Sequence, residues 1–429
     1  MSRAIPGALA AARAIVDGSL TAEALTRACL ERIAAREPEI HAWTYLGGEA
    51  ALAEARALDR QSGGGPLKGL PIAVKDLIDT GDMPTAYGSA LYARHRPARD
   101  ASCVALARSA GAIVLGKTVT TEFAYFEPGP TGNPHNPRHT PGGSSSGSAA
   151  AVADGMVPLA FGTQTAGSII RPAAFCGCVG YKPTFGLLDV TGIRPFAVSL
   201  DTLGVLAADV ADAAFFVSVL AGRPTLRVDD RDWDVPRIGC CRTPEWPAAD
   251  AAMQGCLLDA ADRLGRAGAS VSEVVLPAPF DALGRAQWTV MAYEAARSVH
   301  PEMRSDPSGV SPKMRALAEA GAVMPAEDYM QAKELAVQAA QGLTAAMAGL
   351  DLLMVPAACG EAPEGLASTG DPLFNRGWTL LGNPAVAVPC GTGPKGLPLS
   401  VQLIGRRGGD CRLLAAAAWV ERALRSTDA

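Results

Sequence analysis

Three short stretches of this 429-residue chain carry polar side chains in settings that suit acyl chemistry. Lys75 closes an apolar run, Leu70-Pro-Ile-Ala-Val74, that reads as a buried strand. A lysine there either snorkels its ammonium to water or is held as a partly buried amine whose pKa falls, because desolvation disfavours the charged form. In the second case it is a base. Ser144 lies in Gly142-Gly-Ser-Ser-Ser-Gly-Ser148, ahead of an Ala-rich helix predicted from about Ala149. Such a stretch is either a linker or turn or a glycine-shaped helix start with N–H groups free for a ligand. No Gly-Lys-Ser/Thr follows, which excludes a phosphate loop. Ser168 follows Gly167 in Gly162-Thr-Gln-Thr-Ala-Gly-Ser168-Ile-Ile-Arg171-Pro172. Small neighbours let a substrate carbonyl approach this hydroxyl, and the backbone N–H groups of Thr165, Ala166, Gly167 and Ser168 can converge on a developing oxyanion. Taken alone, this segment also reads as a loop between helices.

The elements that must position these residues alternate. Thr21 is placed to cap a helix in which Leu25, Ala28, Cys29 and Ile33 recur at helical spacing. After the strand that Lys75 ends come a helix over 101–111 and a second short apolar run, Ala112–Leu115. Helix and strand alternate again over 186–221, 236–279 and 351–420. The pattern predicts an α/β fold: one large domain, residues 1–429, with a central mixed and mostly internal β-sheet covered by helices on both faces. Residues 280–345 differ, being rich in Ala, Met and Glu and poor in Gly. They read as a helical excursion over one side of the core.

Hydrophobic residues at 48% and charged residues at 19% describe a globular chain. A net charge of −5 and the absence of any Lys/Arg run speak against nucleic-acid partners. No window of about 18 apolar residues exists to span a membrane, and the N-terminus lacks the apolar core of a signal peptide. The cytoplasm is the expected compartment. The ten cysteines are too scattered for a disulfide framework or a zinc site and are expected to be reduced. The histidines at 41, 95, 135, 139 and 300 show no metal-binding spacing, so neither metal nor cofactor is expected.

Together the three stretches resemble the amidase signature family. The segment GGSSSGSAAAVADGMVPLAFGTQTAGSIIRPAAFCGCVGYKPTFG (142–186) carries the hallmark. The likeness extends through GLPIAVKD (69–76), GKTVTTEFA (116–124) and TGNPHNP (131–137), and on through SLDTLG (199–204), GNPAVAVPCG (382–391) and GLPLSVQLIG (396–405), so it covers nearly the whole chain. The resemblance implies a Ser-Ser-Lys triad: Lys75 as base, Ser144 as bridging serine after a cis Gly143–Ser144 peptide, and Ser168 as nucleophile. It implies amide hydrolysis through an acyl-enzyme, without a metal.

Two positions depart from the usual family pattern. Gln164 stands where an aspartate is usual, and Ile170 where an arginine is usual, the arginine being displaced to Arg171. This arrangement is similar to that of bacterial malonamidases. The expectation is that Arg171, without its acid partner, binds the carboxylate of a short acid-amide such as malonamate; otherwise it is a structural ion-pair former. The expected partners are a small-molecule amide and, for the protein itself, a second copy in a homodimer. The alternatives are a glutaminase-type subunit of a tRNA-dependent amidotransferase and a non-catalytic subunit of the same fold.

Overall fold

The computed structural model describes residues 5–229 and 233–426. Eleven strands form a single sheet: β1 (Trp43–Leu46), β2 (Pro71–Lys75), β3 (Ile113–Thr118), β4 (Leu159–Gln164), β5 (Val179–Lys182), β6 (Thr202–Ala207), β7 (Arg237–Cys241), β8 (Ser270–Val274), β9 (Leu352–Pro356), β10 (Ala385–Thr392) and β11 (Pro398–Ile404). Their order is β1-β3-β2-β4-β6-β5-β10-β11-β9-β7-β8. The pairs β3/β2, β2/β4, β9/β7 and β7/β8 are parallel and the others antiparallel, so the sheet is mixed. Every residue of β2, β3, β4, β6, β9 and β11 is buried. That explains why their sequences run apolar without alternation: helices flank the sheet and no strand face is left to water. The edge strands β1 and β8 are less buried, and in β8 Ser270, Ser272 and Glu273 are exposed, a composition that discourages edge pairing. The fold is therefore the single large α/β domain with a central mixed sheet that the alternation predicts.

Local signals set the helices. Thr21 caps the helix Ala22–Ile40, its hydroxyl accepting from Ala24 N at 3.1 Å. Asp250 does the same for Ala251–Arg266 through Met253 N at 2.8 Å, while Arg263 and Arg266 meet the opposite end of its dipole. The segment read as a helical excursion holds four helices, Leu283–Ser298, His300–Ser305, Pro312–Ala322 and Ala326–Ala346. Pro301 and Pro312 stand in the first turns of two of them, where a missing N–H is harmless.

One helix matters most for the site. It spans Ser146–Ala153 and starts three residues before the predicted Ala149, because Ser146, Gly147 and Ser148 already belong to its first turn. Ser148 Oγ lies 2.7 Å from Thr118 Oγ1 of β3 and donates to Phe161 O of β4 at 2.8 Å, fastening the helix across the sheet. Gly147 lets it come close: a Cβ there would lie 2.1 Å from Ala42 O. The parallel register of β3, β2 and β4 brings Lys75 and Gln164 out at the same, C-terminal edge of the sheet, the edge where open α/β sheets place their ligands. Among the described residues no helix is long and apolar enough to cross a membrane.

Candidate active site

Lys75 is wholly buried at the end of β2. Its Nζ donates to Ser144 Oγ at 2.7 Å and to Thr163 Oγ1 at 2.8 Å. Burial pulls the amine well below its ordinary value, only partly opposed by the charge of Asp201. Of the two sequence readings, snorkelling is therefore excluded. Ser144 follows a cis Gly143–Ser144 peptide, and the segment is no flexible linker, since residues 141–152 are buried throughout.

Ser168 stands in the turn between β4 and the helix Ile170–Cys176. The carbonyls of that turn all bond outward: Thr165 O accepts from Gln287 Nε2 (3.0 Å), Ala166 O from Thr379 Oγ1 (2.7 Å), Gly167 O from Arg171 N (2.9 Å) and Ser168 O from Ser145 N (3.2 Å). With the carbonyls so engaged, the N–H groups of Ala166, Gly167 and Ser168 have no hydrogen-bond partner among the described residues. That is the polarity an oxyanion requires. Gly167 is pressed against its surroundings, a Cβ there lying 2.3 Å from Asn375 Oδ1.

Ser144, Thr165, Ala166, Ser168 and Arg171 line one cavity whose other walls include Tyr125, Phe126 and Phe196. Ser144 and Ser168 thus share a cavity, with no direct hydrogen bond between their hydroxyls among the described residues. Free enzymes often show such contacts open until substrate draws them together. The rim has an unusual backbone: Phe123 and Ala124 take positive φ of 46° and 65°, turning Tyr125 and Phe126 toward the cavity.

The two departures from the family pattern have physical explanations. Gln164 is buried, its Oε1 accepting from Ile169 N (2.9 Å) and Ile170 N (3.0 Å) and its Nε2 donating to Thr379 Oγ1 (3.0 Å). It closes the first turn after Ser168 as a carboxylate could, but without charge. Arg171 is 2% exposed and has no ion-pair partner among the described residues, so the ion-pair reading is corrected. Its Nη1 donates to Gly370 O (2.6 Å), and its Nη2 to Gly143 O (2.6 Å) and Thr369 Oγ1 (3.2 Å). Its Nε is buried without a partner. Its guanidinium carbon stands 5.5 Å from the centre of the Phe126 ring. Burial lowers its pKa to about 9, so the side chain stays charged at neutral pH.

Sequence reasoning missed Thr163, Gln287, Thr379 and Asp201. Each acts through a partner distant in the chain or through a backbone atom, and none carries a local signal of its own. Asp201 did lie within a quoted motif, SLDTLG, but the motif alone assigned it no task.

Residues 24–414 match the amidase family, and the chain belongs to that family, the amidase signature family. It is 35% identical to a glutamyl-tRNA(Gln) amidotransferase subunit from Chloroflexus aurantiacus over 457 aligned residues, covering 94% of each chain. The crystal structure of an amidase superposes with a TM-score of 0.90 at 32% identity, over 97% of this chain and 99% of the other. Native peptide amidase from Stenotrophomonas maltophilia gives a TM-score of 0.82 at 32% identity, over 98% and 97%.

Proposed function

We propose that this chain hydrolyses the C–N bond of a small amide through an acyl-enzyme, with Ser168 as nucleophile, Ser144 as proton relay and Lys75 as base. The observation that carries this reading is the wholly buried Lys75 amine, 2.7 Å from Ser144 Oγ. Neutral Lys75 accepts the Ser144 hydroxyl proton, and Ser144 accepts that of Ser168 as its Oγ bonds to the amide carbon. The tetrahedral oxyanion is held by the N–H groups of the 165–168 turn. Ser144 then delivers a proton to the departing nitrogen and regains one from Lys75. Water attacks the ester by the same relay, and Ser168 recovers its proton as the acid leaves.

For the substrate, the lining supports a short amide bearing a carboxylate, such as malonamate. Arg171 is a buried cation in its wall with an unused Nε, and an unpaired buried charge is unfavourable until an anion meets it. Because Arg171 also holds Gly143 O, substitution must be read on two substrates. Arg171→Ala is expected to raise KM for malonamate about 10- to 100-fold. KM for a neutral amide of the same length should change much less. Equal losses on both substrates would assign Arg171 to positioning alone.

A second reading, the glutaminase-type subunit of a tRNA-dependent amidotransferase, is favoured by the extent of likeness to the Chloroflexus amidotransferase protein. Glutamine also carries a carboxylate, further from its amide. Ammonia release by the purified chain from malonamate, glutamine and neutral amides separates the two. Turnover of glutamine only when amidotransferase partner subunits are added would replace the first reading by the second. Fluorophosphonate labelling lost on Ser168→Ala tests the nucleophile in either case, and speaks against a non-catalytic role.

A further inference from the structure

We infer that Asp201 is a positioning residue of this site: its carboxylate fixes the Thr165 end of the oxyanion turn and the Phe196 wall, at the strand end that also holds the Lys75 amine. The inference rests on the relay proposed above and deepens it.

Asp201 immediately precedes β6, whose first residue, Thr202, pairs with Gln164 at the end of β4. It therefore stands beside the turn that carries Ser168. Its Oδ1 accepts from Thr165 Oγ1 at 2.5 Å, and its Oδ2 from Phe196 N at 2.7 Å and Ala197 N at 3.0 Å. Both Thr165 and Phe196 line the cavity, so one carboxylate ties two of its walls. Thr163, two residues before Thr165, holds the Lys75 amine. Base and carboxylate are thus anchored to the same strand end, with no hydrogen bond between them among the described residues.

The charges around the pair are few. Neither β4 nor the helix Ser146–Ala153 carries a titratable side chain. Lys117 of β3 is paired with Asp76 at 3.2 Å. Asp201 is the acid whose charge opposes the burial of Lys75. The charge of Glu294 also acts on Asp201, and Glu294 accepts from Ser199 N, Ser199 Oγ and Tyr329 Oη at 2.9, 2.5 and 2.9 Å. Burial pushes the Asp201 carboxyl up to about 6, so it is ionised at neutral pH. An amine stripped of all electrostatic support would be neutral but a poor base; one neighbouring carboxylate keeps its proton affinity useful.

Asp201→Asn retains an acceptor for the Phe196 and Ala197 N–H groups and removes the charge. The acid limb of the kcat/KM profile on a neutral short amide is expected to move down by about one pH unit. Ser168 should remain reactive toward a fluorophosphonate probe. An acid limb at its wild-type position, in folded and probe-labelled Asp201→Asn protein, overturns the inference. Should that variant not fold, Thr165→Val decides, since it removes the hydroxyl contact and leaves the charge. The expected result is a fall of about fivefold in kcat with KM and acid limb unchanged; a wild-type kcat overturns the inference. Wild-type protein that the probe does not label at Ser168, or Lys75→Ala protein that keeps its rate, refutes the relay itself and so is told apart from failure of the role of Asp201.

Discussion

Two buried basic side chains serve this site, and their chemistry separates their tasks. A lysine amine can shed its proton, and burial lowers the pKa of Lys75 as the proposed base role requires. A guanidinium holds its proton, so Arg171 stays charged and requires acceptors, which three oxygen atoms of Gly370, Gly143 and Thr369 provide. The depressed amine has a consequence for stability. Folding strips the Lys75 proton in the window between its depressed folded value and its ordinary value near 10.5. Across that window stability rises with pH, and below it the full penalty of burying the amine is present. Lys75→Met keeps the volume and removes the penalty. It is expected to abolish turnover while raising Tm at neutral pH by about 1–3 °C. The gain should shrink as the pH approaches 10. Thermal unfolding across pH checks this; a variant less stable than wild type at pH 7 would contradict a depressed amine.

At the scale of elements, the turn between β4 and the helix Ile170–Cys176 is held from outside. Gln164 accepts two of its N–H groups and, through Thr379, steadies Ala166 O. Gln164→Leu is nearly isosteric but leaves those N–H groups buried and unpaired, a cost of about 2–6 kcal/mol from two groups of about 1–3 kcal/mol each. It is expected to lower kcat more than KM, because the turn presents both the proposed nucleophile and the proposed oxyanion donors. Gln164→Glu keeps the two acceptor contacts and should retain most of the rate. Steady-state kinetics beside denaturant unfolding would test this, and equal damage by Leu and Glu would place the importance of Gln164 elsewhere.

At the scale of the molecule, one buried acid joins segments remote from the cavity. Asp351 precedes β9 and accepts from Arg237 N and Nη2 of β7 at 2.8 and 2.9 Å and from Arg412 Nη2 of the C-terminal helix Asp410–Ser426 at 2.8 Å. Burial alone would raise its carboxyl, but the Arg237 and Arg412 contacts outweigh this and hold it at about 2. Its contribution is present above the ordinary carboxyl value of 3.8 and is lost as the pH falls through about 2. Allowing for the half-exposed arginines, it is about 1–2 kcal/mol. Asp351→Asn should lower Tm at pH 7 by about 1–3 °C, lose that deficit near pH 2, and leave kcat/KM unchanged. An altered kcat/KM would show that the C-terminal helix communicates with the site.

The sequence alone determined the alternation of helix and strand, the apolar runs of β2 and β3 and the three stretches bearing Lys75, Ser144 and Ser168. Each of these is local, written in the spacing of apolar residues or in the types of adjacent side chains. It misplaced the start of the Ser146 helix, because Gly and Ser are loop residues until a sheet packs against them. Whether Lys75 was a surface ammonium or a buried base was undecidable along the chain, since desolvation is a property of the surroundings. The same holds for the acceptors of Arg171, the two contacts of Gln164 and the place of Asp201. Only the tertiary structure decided these, by bringing residues up to about 200 positions apart within hydrogen-bond distance.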